Sequence, residues 1–315
     1  MIPLPHLSIQ LHNFSADPCA DWHTLADHAT AADRAGVDRL AISDHVVFGD
    51  DLDDYADPSK GGILGGRQPT GPDGAWLEPL TTLSWLAART KRIRLQTGIL
   101  LAALRRPIVL AKTAATLDVL SGGRLDLGVG VGWQDAEYTA AGLNFNQRGR
   151  LLDHSLEVCR AVWTTSRASY SSKELTFEGV HASPEPVQEG GVPIWVSGTV
   201  NSRTARRLAI FGWGWIPWGD DRADIVCGIS RMKSQFEKMG LDAIPFEVQG
   251  PVPVVKDNDG EIDLERTMEG IPPLIEAGVT DCRVSISLPT DPSAAEDRLT
   301  QLVAAFRTAT GRVVR

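Results

Sequence analysis

An apolar run, Leu40 to Ser43, ends in an adjacent acid and imidazole, Asp44 and His45. Residues 46–75, rich in Gly, Asp and Pro, follow before regular patterning resumes near Trp76. Histidine titrates near neutral pH, so His45 at a strand end is a candidate for exchanging a proton with a substrate oxygen. The pair equally fits a capping acid beside a satisfied histidine at the start of a loop. A second candidate is LDLGVGVGW, where Gly128, Gly130 and Gly132 alternate. Such spacing lets a flat ligand or another backbone approach closely, although a strand that needs small residues for packing would read the same way. The third is PIWVSGTVNSRTARRLA, in which Ser197-Gly198-Thr199 leads into a helix start near Asn201 or Ser202. Hydroxyls, a small Gly and free helix-start N–H groups make a natural phosphate cradle, with Arg203, Arg206 and Arg207 as added charge. An ordinary capped helix is the alternative.

Several chemistries are excluded by what the sequence lacks. Trp133 stands where a dinucleotide fingerprint requires glycine, and no GxxxxGK[ST] phosphate loop occurs. There is no GxSxG elbow and no HExxH or HxH pair. No lysine ends a predicted strand, which leaves no Schiff-base candidate. Cys19, Cys159, Cys227 and Cys282 lie far apart, so reduced thiols are expected rather than a zinc site.

The elements that would position these residues follow from periodicity. Strand-length apolar runs fall at 7–13, 39–44, 93–99, 125–131, 193–197, 213–217, 245–251 and 282–288. Their near-continuous apolar character suits parallel strands covered on both faces. Helical spacing occupies 22–35, 77–90, 107–120, 147–164, 201–211, 221–239, 263–277 and 294–309. RAGVDRLAIS and EAGVTDCRVS echo one another, with Gly36 and Gly278 as left-handed helix caps. Eight βα alternations predict a (β/α)8 TIM barrel occupying 1–315 as a single domain, with a doubly wound sheet as the competing topology. Two segments exceed the simple unit: the loop 46–75 after strand 2, and 165–192 before strand 5, which reads as a short hairpin with a Pro-rich exit. In a barrel the first would lie on the active face.

The bulk composition is ordinary for a soluble globular protein. Hydrophobic content is 43% and charged content 23%, and the formal net charge of -9 argues against nucleic-acid or anionic-membrane partners. No run approaches the length needed to span a bilayer, and MIPLPHLSIQ lacks the pattern of a secretory signal, so a cytoplasmic location is expected.

Together SDHVVFG, LQTGILLAALRRPIVLAKTAATLDVLSGGRLDLGVGVGW, AEYTAAGLNFNQRGRLLDHSLEVCRAVW and PIWVSGTVNSRTARRLAIFGWGWIP make the chain resemble the bacterial luciferase-like flavin and deazaflavin oxidoreductases. The branch most similar is the one that uses the deazaflavin coenzyme F420. The resemblance implies a luciferase-like TIM barrel with insertions and a homodimer. It also implies an Asp-His pair, here Asp44 and His45, that contacts cofactor and substrate. His45 would exchange a proton as hydride moves to or from the deazaflavin C5, and Asp44 would position the ring or the imidazole. A non-prolyl cis peptide after strand 3 would fall at Gly98–Ile99 and support the ring. Gly130, Val131 and Gly132 would line it, and Val196, Ser197, Gly198 and Thr199 would hold the phosphate-bearing tail. Arg105, Arg106 and Arg203 are further candidates for the tail.

The chain departs from the sugar-phosphate dehydrogenases of that branch. Gly49 replaces a Trp four residues after the His, and Trp133 replaces a Glu after the glycine run, which argues against a sugar-phosphate substrate. Glu137 matches a Glu of other branches and reads as structural. A small carbonyl, alcohol or activated C=C substrate fits the remaining groups, with Trp76, Trp213, Trp215 and Trp218 suggesting an aromatic pocket. Two alternatives stay open: an FMN-dependent two-component monooxygenase fed by a flavin reductase, and a non-catalytic ligand-binding or partner barrel.

Overall fold

The structure, a computed structural model, describes residues 5–241 and 244–311. The two ends of the 1–315 span expected from the sequence therefore lie outside the described residues. Eight strands close into a parallel barrel in sequence order: β1 His6–Gln10, β2 Arg39–Ile42, β3 Arg94–Thr97, β4 Leu125–Val129, β5 Ile194–Gly198, β6 Gly212–Pro217, β7 Glu247–Pro251 and β8 Asp281–Val284. The ring shuts where β1 pairs with β8, His6 opposite Asp281. This is the expected TIM barrel, and the doubly wound alternative falls because no strand is left at an edge.

Helices return the chain between strands, and Gly36 and Gly278 end two of them in the left-handed region, φ 91° and 114°. Two expected helices are broken. Asp224 interrupts the first by capping Ile225–Lys238 through the amide of Cys227. The second divides into Leu264–Glu269 and Ile271–Ala277, the latter with proline in its first turn, where the missing N–H is tolerated.

Alternate strand residues point outward and form the apolar layer beneath the helices. Leu7, Ile9, Leu40, Ile42, Leu95, Leu127, Val129, Val196, Val248 and Val284 are all buried there. Many of the inward residues are polar or charged. Arg39 crosses the barrel to Asp126 at 3.0 Å and to Asp281, while Arg94 grips the other edge of Asp126 at 2.7 Å. Above them Arg283 donates to Ser8, Gln10 and Gln96, and Gln249 donates to Gln96. A charged layer therefore plugs the N-terminal half of the barrel and leaves the C-terminal mouth for a ligand.

Several observed strands stop two to four residues before the end of their apolar runs. Ile99, Leu101 and Ser285 become walls of the mouth there, while Leu100 keeps a bridge to Val129. Both long insertions carry structure of their own. Phe14–Ser15 pairs with Ala75–Trp76 and closes the base of the 46–75 loop, and Ala168–Ser171 pairs with Thr176–Val180 as the expected hairpin.

Burial disfavours the Asp126 carboxylate, but Arg39 and Arg94 outweigh that cost and hold its pKa below the usual value. Its contribution to stability is thus present above about pH 4 and lost as pH falls through the depressed folded value. Asp126→Asn should cost about 3–5 kcal/mol, because the buried Arg39 and the half-buried Arg94 lose a carboxylate. Urea unfolding near neutral pH measures that loss, and the variant should show a shallower acid decline than the wild type.

Candidate active site

One cavity of about 740 Å3 opens at the C-terminal mouth of the barrel. That volume suits a flat tricyclic ring with a small substrate beside it. It brings together Asp44, His45, Gly98, Ile99, Gly130, Val131, Gly132, Ser197, Gly198 and Thr199, from four different strand ends. Val196 is the exception: its side chain is fully buried and does not reach the cavity.

His45 is held from the side away from the cavity. Its Nδ1 lies 3.2 Å from Glu137 Oε2, and Glu137 Oε1 accepts from the amide of Val46 at 2.8 Å. Glu137 sits on the short helix Asp135–Ala140 after β4 and its side chain is fully buried. With Glu137 as the acceptor, Nδ1 carries the ring proton and Nε2 is left as the second ring nitrogen. Glu137, read from sequence as structural, thus orients the imidazole directly. No sequence signal joins residues 92 apart; the barrel brings the ends of β2 and β4 together.

Asp44 does different work from that expected. Its carboxylate is sealed from solvent, accepts from the Leu101 amide at 2.8 Å, and pairs with Arg105 at 2.6 and 3.1 Å. Burial disfavours the Arg105 cation, yet Asp44 and Glu78 outweigh this and raise its pKa. The pair ties the end of β2 to the wall after β3, where the Gly98–Ile99 peptide bond is cis. Asp44 therefore positions that wall rather than the imidazole. Arg105, spent on Asp44 and Glu78, is withdrawn from the candidates for a cofactor tail, and Arg106 does not line the cavity.

Asn13, which the sequence did not single out, completes the clamp. Its amide bridges the carbonyls of Ser43 and Leu77 and its Oδ1 accepts from the Ser43 amide, all within 2.9 Å.

Close neighbours explain the whole glycine run: a Cβ at Gly130 would meet the Ile99 side chain and one at Gly132 the Leu101 side chain, each at 2.7 Å. A Cβ at Gly128 would meet the Thr97 carbonyl at 2.1 Å, so this glycine serves strand approach. Gly132 adopts φ 68°, a conformation that turns the chain along the cavity wall. The cradle after β5 is also more closed than its sequence suggests. Asn201 caps its own helix by accepting from the amides of Arg203 and Thr204, and Asp221 accepts from the Val200 amide. A phosphate would instead meet the Thr199 hydroxyl and the side chains of Arg203, Arg222 and Arg148, which line the same region.

Aromatic rings surround His45. Phe48 lies 4.5 Å away, Trp76 stands edge-on at 4.7 Å and Trp133 at 5.9 Å. Trp218 donates to the Gly61 carbonyl at 3.0 Å and pins the 46–75 insertion over the cavity. Of the four tryptophans expected in the pocket, Trp76 and Trp218 are there. Trp215 is core, donating to the Gly198 carbonyl, and Trp213 is exposed and bonded to Glu247.

A family model described as luciferase-like monooxygenase matches residues 6–274. The chain belongs to the luciferase-like monooxygenase family. Among its relatives, an F420-dependent glucose-6-phosphate dehydrogenase of Nocardia farcinica is 29% identical over 287 residues, covering 87% of this chain and 76% of that protein. Two solved structures share the fold. An F420-dependent secondary alcohol dehydrogenase in complex with an F420-acetone adduct gives a TM-score of 0.72 at 16% identity, covering 96% of this chain and 99% of that one. The oxygenating constituent of 3,6-diketocamphane monooxygenase from Pseudomonas putida, in complex with FMN, gives 0.70 at 15%, covering 99% of each. As a member of this family the chain is of an oxidoreductase class, and among the described residues no helix is long and apolar enough to cross a membrane.

Glu137→Gln should loosen the imidazole without emptying its site. The 15N spectrum of the His45 ring is expected to change from one dominant tautomer to a mixture, and turnover should fall by about 10–100-fold, as for other buried groups that orient a functional histidine.

Proposed function

We propose that this luciferase-like enzyme uses coenzyme F420 to transfer a hydride to or from a small carbonyl, alcohol or activated alkene, with His45 exchanging the accompanying proton. The observation that carries the reading is the His45–Glu137 pair facing a cavity of cofactor size whose lining also holds Arg203 and Arg222. When bound, the deazaflavin would supply two-electron hydride chemistry and leave oxygen largely unreacted.

The chain's own residues supply the rest. Gly98, Ile99, Gly130, Val131 and Gly132 make a wall without bulk against which a flat ring fits. Ser197, Gly198, Thr199, Arg203, Arg222 and Arg148 present hydroxyl and cationic groups to a phosphorylated, polyanionic tail. Glu137 holds the His45 Nδ1 proton, so Nε2 gives a proton to a substrate oxygen or takes one from it. Phe48, Trp76 and Trp133 restrict water around the imidazole and favour an apolar substrate body. The sealed Asp44 holds the β3 wall in register with His45.

Trp133 and Gly49 argue against the sugar phosphate named for the Nocardia relative. Trp133 brings bulk where that branch has a carboxylate, and a Cβ at position 49 would approach Ala136 Cβ to 2.8 Å, so no aromatic fits there without a shift.

Fluorescence titration with oxidised F420 and, in parallel, FMN tests the cofactor. Tighter F420 binding is expected; a preference for FMN would move the enzyme to an oxygen-using reaction fed by a flavin reductase. His45→Ala should lower turnover by about 10²–10⁴-fold while leaving F420 affinity largely intact. Wild-type turnover in that variant would remove the histidine from the mechanism.

A further inference from the structure

The floor of the cavity carries a charge that the reading above does not use. Arg283 on β8 is 8% exposed and lines the cavity together with Gln10, Gln249 and Ser285. Its three nitrogens donate at 2.8 Å to neutral oxygens only: Nε to the Ser8 hydroxyl, Nη1 to Gln10 Oε1 and Nη2 to Gln96 Oε1. Among the described residues no carboxylate forms an ion pair with it. Asp281 stands one hydroxyl away, beyond Ser8, and is already engaged by Arg39. Burial and the like charges of Arg39 and Arg222 both disfavour the Arg283 cation. A guanidinium has five N–H donors, so one remains on each terminal nitrogen. Nη1 also lies 3.9 Å from where a Cβ on Gly98 would stand, which places the fork directly beneath the wall that carries the cis peptide.

A buried cation without an ionic partner is costly unless something supplies the opposite charge. We infer that Arg283 is a floor site for one planar, anionic edge, with two in-plane acceptor atoms presented to its two remaining N–H groups. Two sources have that chemistry: a carboxylate on the substrate, and the urea-like edge of the reduced ring's pyrimidine portion. The inference rests on the cofactor reading only for the second source. It makes the enzyme selective for an anionic ligand although the walls around His45 are aromatic.

Trp76, Trp133 and Trp218 line the cavity, so protein fluorescence reports binding. Benzoate and its neutral counterpart benzamide are titrated into wild type, Arg283→Met and Gln10→Glu, with and without deazaflavin. Gln10→Glu leaves Arg283 in place but gives Nη1 a carboxylate, so it remains informative if Arg283→Met does not fold. Benzoate should bind wild type about tenfold more tightly than benzamide, as for a charge-assisted pair over a neutral one, and both variants should erase the preference. If wild type shows no preference, but the two-electron potential of bound deazaflavin falls in both variants, the ring edge is the ligand. Neither preference nor potential shift would overturn the site. A benzoate preference that survives Gln10→Glu and is lost in Arg222→Ala would overturn it too, by assigning the anion to the rim. If deazaflavin does not bind at all, the cofactor reading fails, and the benzoate titration of the ligand-free protein still decides the role of Arg283.

Discussion

Charge buried inside the barrel has to be answered within hydrogen-bond reach, and that requirement organises the rest of the molecule. Arg39, Asp126 and Asp281 come from β2, β4 and β8, strands that do not neighbour one another in the sheet. Their pairing works only if the barrel is closed and each strand is in one register. A slip of one residue would turn each of these side chains outward among the helices, where no partner exists. Apolar packing on the outer face is more permissive, because Leu, Ile and Val exchange places at small cost. The polar interior thus contributes specificity of register, and the outer apolar layer contributes most of the stabilising burial.

Register in turn sets the mouth. With the N-terminal half plugged, strand ends at the other rim are the only inner surface left to a ligand. β2 is then fixed there by three independent ties. Asn13 binds the backbone of Ser43, Asp44 reaches across to Leu101 and Arg105, and Glu137 holds His45 with Val46. Each tie comes from a different strand end, so the position of His45 is determined by β1, β3 and β4 together. A functional imidazole needs this, since an error of an ångström at the proton-transferring nitrogen loses much of its effect.

The parts of this arrangement that were legible in the sequence are those written in local pattern. Eight apolar runs and their intervening helical spacings gave the barrel. Glycine after a helix gave the caps at Gly36 and Gly278, and the break in pattern after His45 gave the insertion over the site. What pattern does not carry is partnership across distance. Asp44 beside His45 reads as one catalytic pair, but the acid faces Arg105 while the imidazole faces Glu137. Arg105 looks like a spare cation and is spent. Arg283, inside a run that reads as an ordinary strand, carries an uncompensated charge. Strand ends were overdrawn for the same reason: Ile99 stays apolar on the cavity wall and Ile286 and Leu288 stay apolar against the core, and hydrophobicity does not distinguish either from a ladder.

The carboxylate inventory of the cavity narrows the chemistry further. Asp44 and Asp220 are the acids on its lining; the first is sealed in its pair with Arg105 and the second lies out at the rim with Gly219 and Arg222. Glu137 reaches the cavity only through the imidazole. Of the two imidazoles on the lining, His45 is backed by the buried Glu137 carboxylate, whereas His12 stacks on Phe14 and burial lowers its pKa. One hydride paired with one proton requires no more than this, and interconversion of a carbonyl with an alcohol, or saturation of an activated alkene, has that stoichiometry. The aromatic rings desolvate the imidazole's surroundings, and the hydroxyl of Tyr55, whose ring stands edge-on to Trp133 at 5.4 Å, is a further proton-bearing group among them.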